Sequence, residues 1–187
     1  MRNYLQRIDK EKRRDWKGFY ARSTHPEHEI KNYLIDNIHK ICPGFKYLVD
    51  FEWEIEEGHP NKGKGDLIFG SDYKTYLTIE TKSLHTGSGK TAQVSRHNAR
   101  RRVKEQAERY NEFATKRFGV EVVDVIGATF TNEDYRIHFL DDNDKRIARS
   151  VAKELFPLPV LTTQSTKIRE REQQSQLKIL GENNLNH

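Results

Sequence analysis

The chain has 187 residues, 33% charged and 34% hydrophobic, with 33 Lys and Arg against 28 Asp and Glu for a net charge of +5. That length suits one domain with appendages, and nine Phe, eight Tyr and two Trp argue against general disorder. The single cysteine, Cys42, excludes an internal disulfide, a four-thiolate metal site and an iron–sulfur cluster, which makes an intracellular location, cytoplasmic or nuclear, the default expectation.

Residues 1–23 include Lys10-Glu-Lys-Arg-Arg-Asp-Trp-Lys17, a charge run read as a solvated helix or arm extending from the domain. No signal-peptide core is visible there, and no later run reaches the ~20 apolar residues of a membrane span, so no membrane partner is expected. Ser23 or Thr24 is placed to cap a helix with Pro26 in its first turn. Ile30, Leu34, Ile38 and Ile41 repeat along it at helical spacing until Pro43-Gly44. From Phe45 the period changes to two. Phe45, Tyr47, Val49, Phe51, Trp53 and Ile55 alternate with polar residues, with Leu48 as the one break, which predicts a half-exposed strand. A turn over 58–65, a strand over 66–69, a turn over 70–72 and a strand over 75–83 complete an antiparallel meander. A loop over 84–95 then leads to a helix with Ala99, Val103, Tyr110 and Phe113 on one stripe, closed by Gly119. Residues 120–130 read as a buried strand, 136–140 as an edge strand, and Asp141-Asp-Asn-Asp144 as a turn and helix cap. The domain is expected over 24–160, followed by a polar tail over 161–187.

The loop Gly87-Ser-Gly-Lys-Thr91 matches the end of the phosphate-binding pattern G-x-x-x-x-G-K-[ST], but Leu84 stands where the first glycine belongs. A P-loop ATPase is therefore the weaker reading, and Lys90 with the loop amides is expected to touch a nucleic-acid phosphate instead. More chemistry lies before that loop. Glu80 and Lys82 are two apart in a strand and share a face, and a hairpin centred on Tyr73 sets Asp66 opposite Glu80, with Cβ atoms about 4.5–5.5 Å apart. Facing carboxylates repel unless a proton or cation lies between them, and a hard divalent ion resolves the conflict. Lys82, next on that face, is placed to steer water or to steady charge on a phosphate. Gln106 falls in the apolar seam Val103-Gln106-Tyr110-Phe113, which aims an amide at the sheet.

Gly65-Asp66, Glu80-Thr81-Lys82 and Gln106-Ala-Glu-Arg-Tyr110 together resemble the motif set of the PD-(D/E)XK nuclease superfamily, the last being similar to the Q-x-x-x-Y of RecB-type exonucleases. The likeness covers about residues 24–130. It implies an α/β, restriction-endonuclease-like core of order α-β-β-β-α-β, with a mixed central sheet flanked by helices. It also implies metal-dependent hydrolysis of phosphodiester bonds in DNA, acting at ends or structures. Magnesium or manganese would sit on Asp66, Glu80 and the backbone carbonyl of Thr81, Lys82 would activate or position water, and Gln106 and Tyr110 would lie beside the site. The superfamily often adds a metal-facing acid from the first helix. Glu27 shares the inward stripe of Ile30 and Leu34 and is the first choice, with Glu29 and His28 behind it. Gly65 in place of the superfamily's Pro, and a long basic loop between Lys82 and Gln106, are departures. The basic balance favours a polyanionic partner. Arg96, Arg100, Arg101, Arg102 and Lys104 form the densest cluster, and Arg96, Arg100, Arg101, Arg102 and Lys90 are the expected nucleic-acid contacts. Arg102 is the best placed, one turn before Gln106. A non-catalytic nucleic-acid-binding module is the alternative. The residues themselves do not separate DNA from RNA, and a homodimer would serve two strands, although no interface is visible in the sequence.

Overall fold

Short glycine turns and β-rich segments after Phe45 build a mixed sheet, in a computed structural model that describes residues 2–20, 22–56, 58–118, 122 and 124–155. Its strands are β1 (Phe45–Glu54), β2 (Lys64–Ser71), β3 (Thr75–Lys82), β4 (Asp124–Thr131) and β5 (Ile137–Phe139), adjacent in that order. Among the described residues four helices accompany it: α1 (Arg2–Tyr20), α2 (Pro26–Ile41), α3 (Lys90–Phe118) and α4 (Asp142–Leu155). The architecture is mixed α/β, and Met1–Leu155 forms one unit. β1, β2 and β3 are the expected antiparallel meander. β4 runs parallel to β3, which requires a crossover, and α3 supplies it. β5 closes the edge antiparallel to β4.

Alternation along the strands divides the core between two faces. Leu67, Phe69, Leu77 and Ile79 meet Ile30, Leu34 and Ile38 of α2, joined by Ile126, Ala128 and Phe130 of β4 and by Ala148 and Val151 of α4. The intervening Ile68 and Tyr76 meet Tyr110 and Ala114 of α3, together with Val49 and Trp53 of β1. With both faces covered, β3 is buried from Thr75 to Thr81. A charged residue placed on it must therefore find partners inside the protein.

Three local expectations need correction. Arg2–Tyr20, within the expected extension 1–23, is not a solvated arm: α1 packs on β1, burying Leu5 and Trp16, which lie three turns apart on one side. Its charges dock as well, Lys12 on Asp50 at 2.6 Å and Arg13 on the carbonyls of Ile35 and Lys46. β1 is not half-exposed either. Its register with β2 slips between Phe45/Tyr47 and again between Leu48/Asp50. These bulges turn Phe45 and Leu48 toward α2 while Tyr47 and Val49 face α3. Finally, α2 is capped by His25, whose Nδ1 accepts the Glu27 N–H at 3.4 Å, while the Ser23 hydroxyl bonds the His28 ring. Asp141 caps α4 as expected, accepting the Asp144 N–H at 2.8 Å. The helix stop at Gly119, the domain end at 160 and the tail over 161–187 lie outside the described residues. No described helix is long and apolar enough to cross a membrane.

Candidate functional site

β2 and β3 hold the register expected from the sequence, from Gly70↔Tyr76 to Leu67↔Ile79. One step further the ladder ends, and Asp66 and Glu80 stand across the opening. Their carboxylates take over the backbone bonds that a regular ladder would have made. The Asp66 N–H donates to Glu80 Oε1 at 2.8 Å, and the Thr81 N–H donates to Asp66 Oδ2 at 2.7 Å, joined by the Thr81 hydroxyl at 2.8 Å. Two glycines make this corner possible. A Cβ on Gly65 would overlap the Trp53 indole, and one on Gly63, whose φ is +116°, would lie 2.8 Å from the Tyr110 hydroxyl. Packing against Trp53 thus accounts for glycine, not proline, before Asp66.

Sequence reasoning missed two members of the site. Lys31, one turn after Glu27 on α2, places its ammonium 2.6 Å from Asp66 Oδ1 and also bonds Glu52 Oε1. Phe51 and Trp53 pair with Leu67 and Gly65, so Glu52 flanks Asp66 on the side away from Glu80. Carboxylates on two adjacent strands, Glu52 and Asp66, therefore share one lysine that is only 4% exposed, and Glu80 on the third strand feels its charge without bonding it. Glu80, 7% exposed, has its carboxyl pushed well above the usual range by burial and then by the Asp66 charge, against the pull of the Asp66 N–H and Lys31. Burial alone would lower the Lys31 ammonium, but Asp66 and Glu52 outweigh it and raise it. Lys82, at the end of β3, bonds Glu27 Oε1 from α2. Burial works against the Glu27 charge, yet Lys82, with Lys31 and His25, holds that carboxyl below its ordinary value. The signal for Lys31 was present in its spacing: it follows Glu27 and precedes Ile35 by one turn each, on a stripe of otherwise inward residues.

The remaining expected residues divide. Lys82, Arg102 and Gln106 line one cavity of about 350 Å³. Gln106 is not in the apolar seam, however; the buried line of α3 is Val103, Ala107, Tyr110 and Ala114, which leaves Gln106 exposed at the cavity. Tyr110 is buried against Gly63 and Trp53, and no hydrogen bond or ion pair among the described residues joins it to Asp66, Glu80 or Lys82. Arg96 closes the glycine-rich loop by donating to the carbonyls of His85 at 3.2 Å and Gly87 at 2.7 Å. Arg100 pairs with Glu133 at 2.7 Å, while Arg101 and Lys104 reach Glu105 and Glu108 along the helix at 3.7 Å. Among the described residues Arg102 and Lys90 make no ion pair, and of these two only Arg102 lines the cavity with Lys82. Glu29 faces a different cavity beside Tyr33 and Tyr135, and the His28 ring packs on Trp16 and Tyr20. The loop before α3 has the strand–loop–helix context of a phosphate loop. Yet Leu84 is buried, with its N–H and C=O both held by Asn132, and the first turn of α3 is largely exposed rather than packed behind a loop.

No group of three or more His, Cys, Asp or Glu among the described residues is arranged to hold a metal ion. Asp66 and Glu80 with the Thr81 carbonyl offer hard oxygens alone. That set fits magnesium, which keeps several waters and is bound through one or two carboxylates plus substrate phosphate. It does not fit zinc, which takes three or four protein ligands rich in nitrogen and sulfur. No protein-family model, curated protein or solved structure matches the chain.

Proposed function

We propose that the chain is a divalent-cation-dependent nuclease of the PD-(D/E)XK type, on a restriction-endonuclease-like core, hydrolysing phosphodiester bonds in DNA. The observation that carries this reading is the placing of Asp66 and Glu80 face to face where β2 and β3 part, with Lys82 two residues further on. Asp66, Glu80 and the Thr81 carbonyl would hold magnesium or manganese, which when bound supplies charge neutralisation at a phosphoryl group and a more acidic water.

The protein's own groups have distinct parts. Lys31 pairs with both Asp66 and Glu52, offsetting one of their two charges, and it must yield Asp66 Oδ1 when a cation enters. Glu27 holds the Lys82 ammonium at the mouth of the cavity, where it would position water or steady phosphate charge. Arg102, with its guanidinium unspent, offers a phosphate contact on the same cavity, and the Gln106 amide a weaker one. Because Glu80 is shifted toward its protonated form, cation binding should strengthen as pH rises.

Linear, circular, single-stranded, flapped and branched DNAs, with an RNA control, would be incubated with the protein in magnesium, manganese or EDTA. Cleavage in either cation and none in EDTA is expected. Binding without cleavage in every condition would establish a non-catalytic nucleic-acid-binding module instead.

A further inference from the structure

A second cavity, about 440 Å³, is lined by Pro26, just before the Glu27 that holds the Lys82 ammonium, and by Ser83, just after Lys82. Its most distinctive feature is a pair of tyrosines. Tyr33 on α2 and Tyr135 in the β4–β5 turn remain 44% and 43% exposed, although their rings meet edge-on with centroids 4.8 Å apart. Both are anchored on the fully buried Phe130, Tyr33 stacked on it at 6.5 Å and 18°, Tyr135 edge-on at 6.1 Å and 73°. Tyr135 also holds a φ of +54°, a left-handed backbone that a bulky L-residue rarely adopts. The turn around it is fixed by Asp134, which accepts the Arg136 N–H at 3.1 Å and meets the His138 ring at 2.8 Å. Asn132 ties the floor to the next loop by bonding both backbone groups of Leu84. The result is a rigid, partly exposed aromatic surface with a carboxylate (Glu29) and a hydroxyl (Ser83) at its border.

We infer that Tyr33 and Tyr135 form a stacking platform for one unpaired nucleobase, next to the phosphate addressed by Lys82, so that the substrate is a single strand or a frayed end. Its placement rests on the nuclease reading. A flat π-face offered beside a phosphate site matches the face of a base, and stacking tolerates every base. Glu29 and Ser83 can take hydrogen bonds from the exocyclic amines and ring N–H groups on a base edge. Inside a duplex both faces of a base are already covered by its neighbours, so only an unstacked base can use this surface.

The test is fluorescence anisotropy of labelled single-stranded and blunt duplex oligonucleotides in EDTA, where no hydrolysis intervenes. Tyr33→Ala and Tyr135→Ala should each weaken single-strand binding about tenfold, the scale of one lost base–aromatic stack, and change duplex binding little. Tyr135→Phe should bind as the unaltered protein does, since it keeps the ring. An oligonucleotide carrying abasic residues should bind the unaltered protein as weakly as the intact strand binds Tyr135→Ala, which tests the platform even if an alanine variant fails to fold. Equal losses for strand and duplex, no loss in either alanine variant, or an abasic strand bound as tightly as the intact one would overturn the inference. Cleavage in magnesium with single-strand binding indifferent to both tyrosines would remove the platform and keep the nuclease. Tyrosine-dependent binding with no cleavage in any cation would do the reverse.

Discussion

Replacing Lys31 by methionine keeps a long flexible side chain and removes the one ammonium shared by Asp66 and Glu52. At an effective dielectric near 20, a pair 2.6 Å apart attracts by about 6 kcal/mol before the cost of taking the charges out of water. Desolvation offsets much of that gain, so the intact pair adds little net stability. Losing one partner is different, because Asp66 and Glu52 stay in place without their countercharge beside a buried Glu80, and such losses cost roughly 3–5 kcal/mol. The effect should depend on pH. A carboxyl raised in the folded state contributes stability that is fully present below its unfolded value and is lost as pH rises through the folded one. The Glu80 carboxyl is already raised with Lys31 in place and would rise further without it. Urea denaturation without divalent ions should therefore show Lys31→Met far weaker than the unaltered protein near pH 8 and much closer to it near pH 5. Lys31→Met combined with Asp66→Asn should recover part of the loss. A Lys31→Met protein within about 1 kcal/mol of the unaltered one near pH 8, or a loss equal at both pH values, would refute the reasoning.

Glu80→Gln should raise the urea midpoint of the cation-free protein near pH 8 and flatten its fall with rising pH, because it removes the charge that burial and Asp66 disfavour. An unchanged pH profile would assign that fall to another group. Gly65→Ala should destabilise by about 1–3 kcal/mol, since its methyl must displace the Trp53 indole, and an unchanged midpoint would contradict the packing account of Gly65. Arg102→Ala should lower the salt slope of DNA binding by about one unit, as for one lost phosphate contact, whereas Arg101→Ala, a helix-surface pair with Glu105, should change it little. Equal effects at the two positions would return the cluster to a solvated helix face. Manganese affinity, followed by calorimetry, should increase as pH rises above the ordinary carboxylate range, because Glu80 holds its proton more tightly than usual, and a flat profile would separate Glu80 from the cation.

The Asp66–Glu80 facing was legible because a hairpin fixes register through its turn, and the turn around Tyr73 is short and polar. Lys31 and Glu52 were harder to read, since a lysine ordinarily reads as solvated even on the stripe of Glu27 and Ile35, and Glu52 owes its place to a bulged strand. There its own φ is +47°, and the only mark in the sequence was the misplaced Leu48. The packing of α1 was hidden because two buried residues, Leu5 and Trp16, carry its inward side through a run of charge. Gln106 was misplaced by one position of helical phase. Ala107 and Ala114 are too small to stand out as an apolar stripe, so the larger Phe113 drew the seam toward itself, whereas it lies only partly buried.

The most direct test of the central claim is the rate at which a labelled single-stranded oligonucleotide is cut in magnesium near pH 8, by the unaltered protein and by Glu80→Gln shown by circular dichroism to be folded. Cleavage that EDTA abolishes is expected, with a Glu80→Gln rate lower by at least about a hundredfold, the scale on which loss of one group that stabilises the transition state is felt. Cleavage by folded Glu80→Gln at the unaltered rate, or no cleavage by the unaltered protein in magnesium or manganese, would contradict that claim.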